Sequence, residues 1–110
     1  MIRRLLANVA VTDVDRAERW YTGLFGGGPD ARPMPGLLEW HLAEGFGVQV
    51  WLDPARAGHA CVVLEVSDLD TAADDATRAG IDHDGPEPGG GARILQLADP
   101  DGNRVVLAGA

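Results

Sequence analysis

Eight side chains of this 110-residue sequence have the types and spacing to do chemistry. Asn8, Gln49, Trp51, His59, Cys61, Glu65 and Arg104 fall at alternating positions within strand-like segments, and Trp40 stands beside His41 in another. Alternate residues of a strand share one face, so the first seven are expected on a common inward wall with Leu6, Ala10, Val63, Val106 and Ala108. A mostly apolar concave wall with a few placed polar groups is the make-up of a small-molecule site. His59 or Glu65 could act as a general base, and Trp51 could stack on a ligand or only fill space. Glu65 and Arg104 could meet a ligand or pair with each other. Cys61 reads better as an inert buried thiol than as a nucleophile, since only His59 is near enough in sequence to lower its pKa. Asn8 and Gln49 could serve ligand or backbone. Only one of Trp40 and His41 can face the cavity, and Trp40 is the expected one, as lining or as core.

Composition limits the partners. The formal charge is −8, from 9 basic and 17 acidic side chains. Such a field repels nucleic acid and anionic membranes, while favouring solubility and attracting cations. A single cysteine allows no internal disulfide and no cysteine zinc cluster. The basic-apolar opening at 1–6 resembles a signal peptide, but Asn8 and Asp13 interrupt it, and no run reaches the roughly 20 apolar residues of a membrane span. The reading is a soluble, cytoplasmic protein. Asp99, Asp101 and Asn103 have the spacing that opens a calcium loop, yet Arg104 stands where that loop needs Gly and Ala110 where it needs Glu, so the segment is a hairpin turn. Gly89-Gly90-Gly91 lacks the Lys and the helix of a phosphate loop and reads as a mobile linker.

An internal echo organises these residues. Val11-Thr12-Asp13-Val14-Asp15-Arg16-Ala17 returns 55 positions later as Val66-Ser67-Asp68-Leu69-Asp70-Thr71-Ala72. Repetition at half the chain length predicts two copies of one unit, about 1–55 and 56–110, in a single domain. Thr12 and Ser67 are expected to cap helices, with Asp15 and Asp70 completing capping boxes. Val14, Ala17, Tyr21 and Leu24 share one helical face, as do Leu69, Ala72, Ala76 and Ala79, and glycines at 26–28 and 80 stop the helices. Strands precede each cap, and further strands are expected at 37–42, 47–52, 93–98 and 103–108, with one short extra strand possible in each Gly/Pro-rich loop, 28–36 and 82–92.

With that pattern the chain resembles the vicinal-oxygen-chelate superfamily, which contains glyoxalase I, bleomycin-resistance proteins and extradiol dioxygenases. The resemblance spans the chain and rests on the strand-cap-helix start with Trp20-Tyr21, and on Asp99-Pro100-Asp101-Gly102-Asn103 followed by Arg104-Val105-Val106-Leu107. It implies an α+β fold of two βαβββ modules whose curled mixed sheet surrounds a cavity, and a homodimer. The positions that chelate metal in metal-using relatives carry over to Leu6, Trp51, Cys61 and Val106. Three of these cannot donate a lone pair to a divalent ion, so no metal and no cofactor are expected. The expectation is a metal-free small-molecule-binding protein that sequesters a cationic or aromatic compound. The alternative is a lyase, isomerase or dioxygenase of the same superfamily, using metal through another ligand set or a side-chain base such as His59 or Glu65.

Overall fold

The structure is a computed structural model that describes residues 1–110. Its first half runs β1 (Leu5–Val11), α1 (Val14–Phe25), β2 (Ala31–Met34), β3 (Leu37–Ala43) and β4 (Phe46–Leu52). Its second half runs β5 (Cys61–Glu65), α2 (Leu69–Arg78), β6 (Glu87–Gly89), β7 (Ala92–Ala98) and β8 (Arg104–Gly109). Each half folds as βαβββ, with sheet orders β1-β4-β3-β2 and β5-β8-β7-β6. The first strand pairs parallel to the last in each sheet, and the remaining pairs are antiparallel. The chain is thus an α+β protein of two modules. The short extra strands in the two Gly/Pro-rich loops are β2 and β6. Gly89 belongs to β6, and Gly90 and Gly91, both at positive φ, turn the β6–β7 hairpin rather than forming a mobile linker.

The helix starts differ from expectation by one residue. Asp13 and Asp68 are the N-caps, accepting from the Arg16 and Thr71 backbone N–H at 3.0 and 3.1 Å. A carboxylate at the cap satisfies an orphan donor and also meets the positive helix end, so it outcompetes the neighbouring hydroxyl. That frees Thr12 to donate to Asp101 and Asp70 to pair with Arg93. Gly26, at φ 79°, ends α1 in the left-handed region. Gly80 does the same just past α2.

Period-two alternation builds one core from both modules. Val9, Val11, Leu38, Trp40, Val48 and Val50 of the first sheet and Leu95, Leu97, Val105 and Leu107 of the second turn toward the helices. There they bury Tyr21, Ala17, Leu69, Ala73 and Ala76. Each large side chain removed from water contributes about 1.5–3 kcal/mol.

A polar clamp ties the β7–β8 turn to the first module. Asp99, 4% exposed, accepts at Oδ2 from the Tyr21 hydroxyl and Asn103 Nδ2, both at 2.8 Å, and at Oδ1 from the Asp101 and Asn103 backbone N–H, both at 2.9 Å. Fully buried Asn103 also donates to the Ala10 carbonyl at 2.8 Å and accepts from the Ala60 N–H at 3.0 Å. Asp101 accepts from the Thr12 N–H and hydroxyl. Asp99 and Asn103 sit where a calcium loop would offer ligands, but here they hold backbone.

Burial above all, then the Asp99 charge and its hydrogen bond, holds the Tyr21 proton far above the usual phenol value of 10.0. The folded state therefore keeps a proton that the unfolded chain releases. Stability should be undiminished below about pH 10 and fall as pH rises beyond it. Tyr21→Phe should lower urea-denaturation stability by about 1–2 kcal/mol at pH 7, because Asp99 loses a donor. It should also flatten the alkaline decline, and an unchanged alkaline slope would show that Tyr21 is not its source.

Candidate functional site

The faces turned away from the helices carry the polar groups. On the first sheet, Asn8 of β1 stands in register with Gln49 of β4, which stands in register with Glu39 of β3. The three form a row of hydrogen bonds. Asn8 Nδ2 donates to Gln49 Oε1 at 3.3 Å, and Gln49 Nε2 donates to Glu39 Oε2 at 2.6 Å. His41 Nε2 donates to Glu39 Oε1 at 2.9 Å, and Arg4 lies 3.9 Å from the same oxygen. One rung along, Ala10, Trp51 and Leu37 are in register. The Trp51 indole Nε1 is buried and has no hydrogen-bond partner. The Trp51 indole thus adjoins a carboxylate held by Gln49, His41 and Arg4. Such a surface can stack a planar ligand, accept from a ligand cation at Glu39 and donate from Trp51.

The second sheet repeats the device with other residues. Arg104 donates to Gln96, and Gln96 donates to Glu87. Cys61 and Arg104 are register partners, and so are Val63 and Val106.

Several expected placements change. Trp40 faces the helices, 2% exposed, with its indole donating to the Gly27 carbonyl at 2.8 Å and its ring among Tyr21 and Phe25. It is core, because an indole can be buried where a backbone carbonyl takes its N–H. His41 is the member of that pair on the open face. Glu65 and Arg104 do not pair. Register sets Glu65 against Ala108 and Arg104 against Cys61, at opposite ends of the two strands. Cys61 is an exposed free thiol rather than a buried one, whereas His59 is exposed just before β5, as a residue at the linker end would be. The eight residues do not gather in one cavity of the chain. A cavity of about 700 Å³ lies mainly on the helix side, reaches round the edge strand β5 to Val63 and Glu65, and includes only Glu65 of them.

Glu39 was not among the expected residues, and His41 stood only as the alternative to Trp40. The signal was present: burying Trp40 inward forces both neighbours outward onto the row that already holds Asn8 and Gln49.

The register also moves one position of the implied chelating set. Leu6 pairs with Gly47, whereas its counterpart Cys61 pairs with Arg104, so the later strands correspond at a spacing of 57 rather than 55. Val106 then corresponds to Gln49 instead of Trp51. The set becomes Leu6, Gln49, Cys61 and Val106, which offers one amide oxygen and one thiol and does not fit a divalent ion. No group of three or more His, Cys, Asp or Glu side chains is placed to share a metal.

Comparisons agree with this architecture. Residues 4–107 match the family model of the Glyoxalase/Bleomycin resistance protein/Dioxygenase superfamily, and the chain belongs to that family. It is similar to a glyoxalase/bleomycin resistance protein from Catenulispora acidiphila, with 33% identity, 97% of both chains covered and a TM-score of 0.90. It shares its fold with TnmS3, an antibiotic-binding protein from Streptomyces sp. CB03234, at 24% identity over 96% of this chain and 93% of that one, TM-score 0.76. It does so too with a bleomycin-binding protein solved in complex with bleomycin, at 22% identity over 97% and 98%, TM-score 0.79. No curated protein matches the chain.

The hydrogen bond from His41, then that from Gln49, holds the Glu39 carboxyl below its usual 4.5, against the opposing effect of burial. A lowered folded value contributes stability above the unfolded pKa, lost as pH falls through the folded one. Denaturation midpoints should therefore decline below about pH 4.5, and Glu39→Gln should shallow that decline. Equal acid slopes in both proteins would dissociate Glu39 from it.

Proposed function

We propose that this protein binds a small aromatic or cationic molecule, without metal or cofactor, on the helix-free faces of its sheets. The observation that carries the reading is the juxtaposition of Trp51, whose buried indole N–H lacks an acceptor, with the Asn8–Gln49–Glu39–His41 row. An unsatisfied buried donor costs roughly 1–3 kcal/mol, which a ligand acceptor would recover. The −8 charge adds long-range attraction for cations. The antibiotic-binding and bleomycin-binding relatives support a sequestering role rather than turnover. Gln49, Cys61 and Arg104 extend the surface across both sheets, with His59 and Glu65 at its edge.

These faces are open in one copy. Val63 is 62% exposed on the second of them. A second copy laid across them would enclose the ligand, so the working unit is a homodimer, and the compartment is the cytoplasm. The Glu39–His41 pair also favours a second reading, a metal-free lyase or isomerase in which His41 moves a proton while Glu39 orients it.

Protein purified without a histidine tag should hold far less than one equivalent of metal and run at twice 11.6 kDa in light scattering. Screening bleomycin and other aromatic or cationic natural products by thermal shift should find a stabiliser. At ten times its Kd such a ligand adds about 1.4 kcal/mol, several degrees for a domain this small. Trp51→Ala should erase that shift while leaving the fold intact. Stoichiometric metal, or a shift indifferent to Trp51, would overturn the reading. Turnover lost in His41→Ala but binding kept would favour the enzyme.

A further inference from the structure

The two modules differ most where they meet on the helix side. One meeting point is the Tyr21–Asp99–Asn103 clamp. Its counterpart follows from the repeat, with helices corresponding at 55 positions and the later strands at 57. Tyr21 becomes Ala76, Asp99 becomes Leu42 and Asn103 becomes Phe46. These three counterparts line the same cavity, the one of about 700 Å³. Where the first helix inserts a phenol ring, the second offers a methyl group, and the polar lock is replaced by apolar wall. The cavity is what the missing ring leaves open. Its size falls within the range of small-molecule sites.

Exposure and charge say what would fill it. Leu5, Leu42, Phe46 and Val63, four of the large apolar side chains left exposed on the chain, all border it. Its only ionisable lining groups are Glu65 and Asp75. Asp75 is shared with Arg78 of its own helix, whereas Glu65 makes no ion pair. An anionic amphiphile would meet repulsion at that acidic rim. We infer that this cleft, which meets the helix-free face only at Val63 and Glu65 of the edge strand β5, is a second binding site for an amphipathic amine: an aryl or alkyl body in the space opposite Ala76 and an ammonium at Glu65.

The probes are 4-phenylbutylamine, 4-phenylbutanol and 4-phenylbutyrate, which share one apolar body. Methyl NMR should show the amine shifting Ala72, Ala76 and Val62 resonances, while the Trp51 indole N–H in a proton–nitrogen correlation spectrum stays unmoved. The amine should bind up to about fivefold tighter than the alcohol, and the carboxylate weakest. Glu65→Gln should remove the preference for the amine while retaining the alcohol. Ala76→Phe, which supplies a ring in place of the missing one, should weaken all three by about tenfold or more. Ala72→Leu narrows the same cleft should the Phe variant not fold. Trp51→Ala should leave amine binding intact, which separates this site from the one proposed above. Indifference to probe charge, shifts confined to Trp51, or cleft methyls covered by a second copy in a concentration-dependent manner would each overturn the assignment.

Discussion

The buried carboxylate of Asp99 is the constraint on which the arrangement of the two modules depends. It sits 4% exposed and is answered by neutral donors, two on each oxygen. Burying a charge costs several kcal/mol unless its hydrogen-bonding capacity is met. Every donor that meets it is therefore fixed: two backbone N–H groups that define the β7–β8 turn, the Asn103 amide and the Tyr21 hydroxyl on α1. Both N–H groups of the Asn103 amide are used, on Asp99 and the Ala10 carbonyl, and its oxygen holds the Ala60 N–H. A local turn is thereby converted into a joint between sheets. Apolar contact alone is non-directional, and it would not choose one angle between the modules over its neighbours.

The joint also explains why the duplication is unequal. One clamp suffices to orient the halves, so the equivalent place in the other half is released from that role. The helices record this difference. Trp20, Tyr21, Leu24 and Phe25 of α1 correspond to Asp75, Ala76, Ala79 and Gly80 in and beyond α2. The first helix is aromatic and packs Tyr21 against Trp40 and Phe25. The second is built of alanine and aspartate, packs closely through Ala73 and Ala76, and leaves the cleft beside it.

Much of the fold was legible in the sequence because its signals are local. Period-two alternation, Gly26 and Gly80, and the turn at 99–103 each report on a few neighbouring residues, and the repeat multiplies them. The caps were misplaced by one residue because Thr12 and Asp13, like Ser67 and Asp68, are both good cap formers, and the carboxylate wins at each start by also meeting the positive helix end. The site was less legible, because which way Trp40 points depends on the Gly27 carbonyl, supplied by a loop 13 residues away. With Trp40 assigned to the open face, Glu39 and His41 vanish from it. The ion pair between Glu65 and Arg104 failed on register, since alternation gives the face of a residue but not its rung.

That distinction between face and rung bears on how the family scaffold changes function. Rung is set by backbone ladders and by the turns that join them, whereas the polar row uses only side chains. Asn8, Gln49 and Glu39 lie on three different strands yet meet because β1, β4 and β3 present them on one rung. On the second sheet Gln96 reaches Arg104 on a neighbouring rung instead. Substitution along such rows leaves the clamp and the core untouched, because both lie on the opposite face. Side chains on the open face can then be exchanged at little cost to folding. The surface keeps its rigid positions while its side-chain chemistry is free to vary.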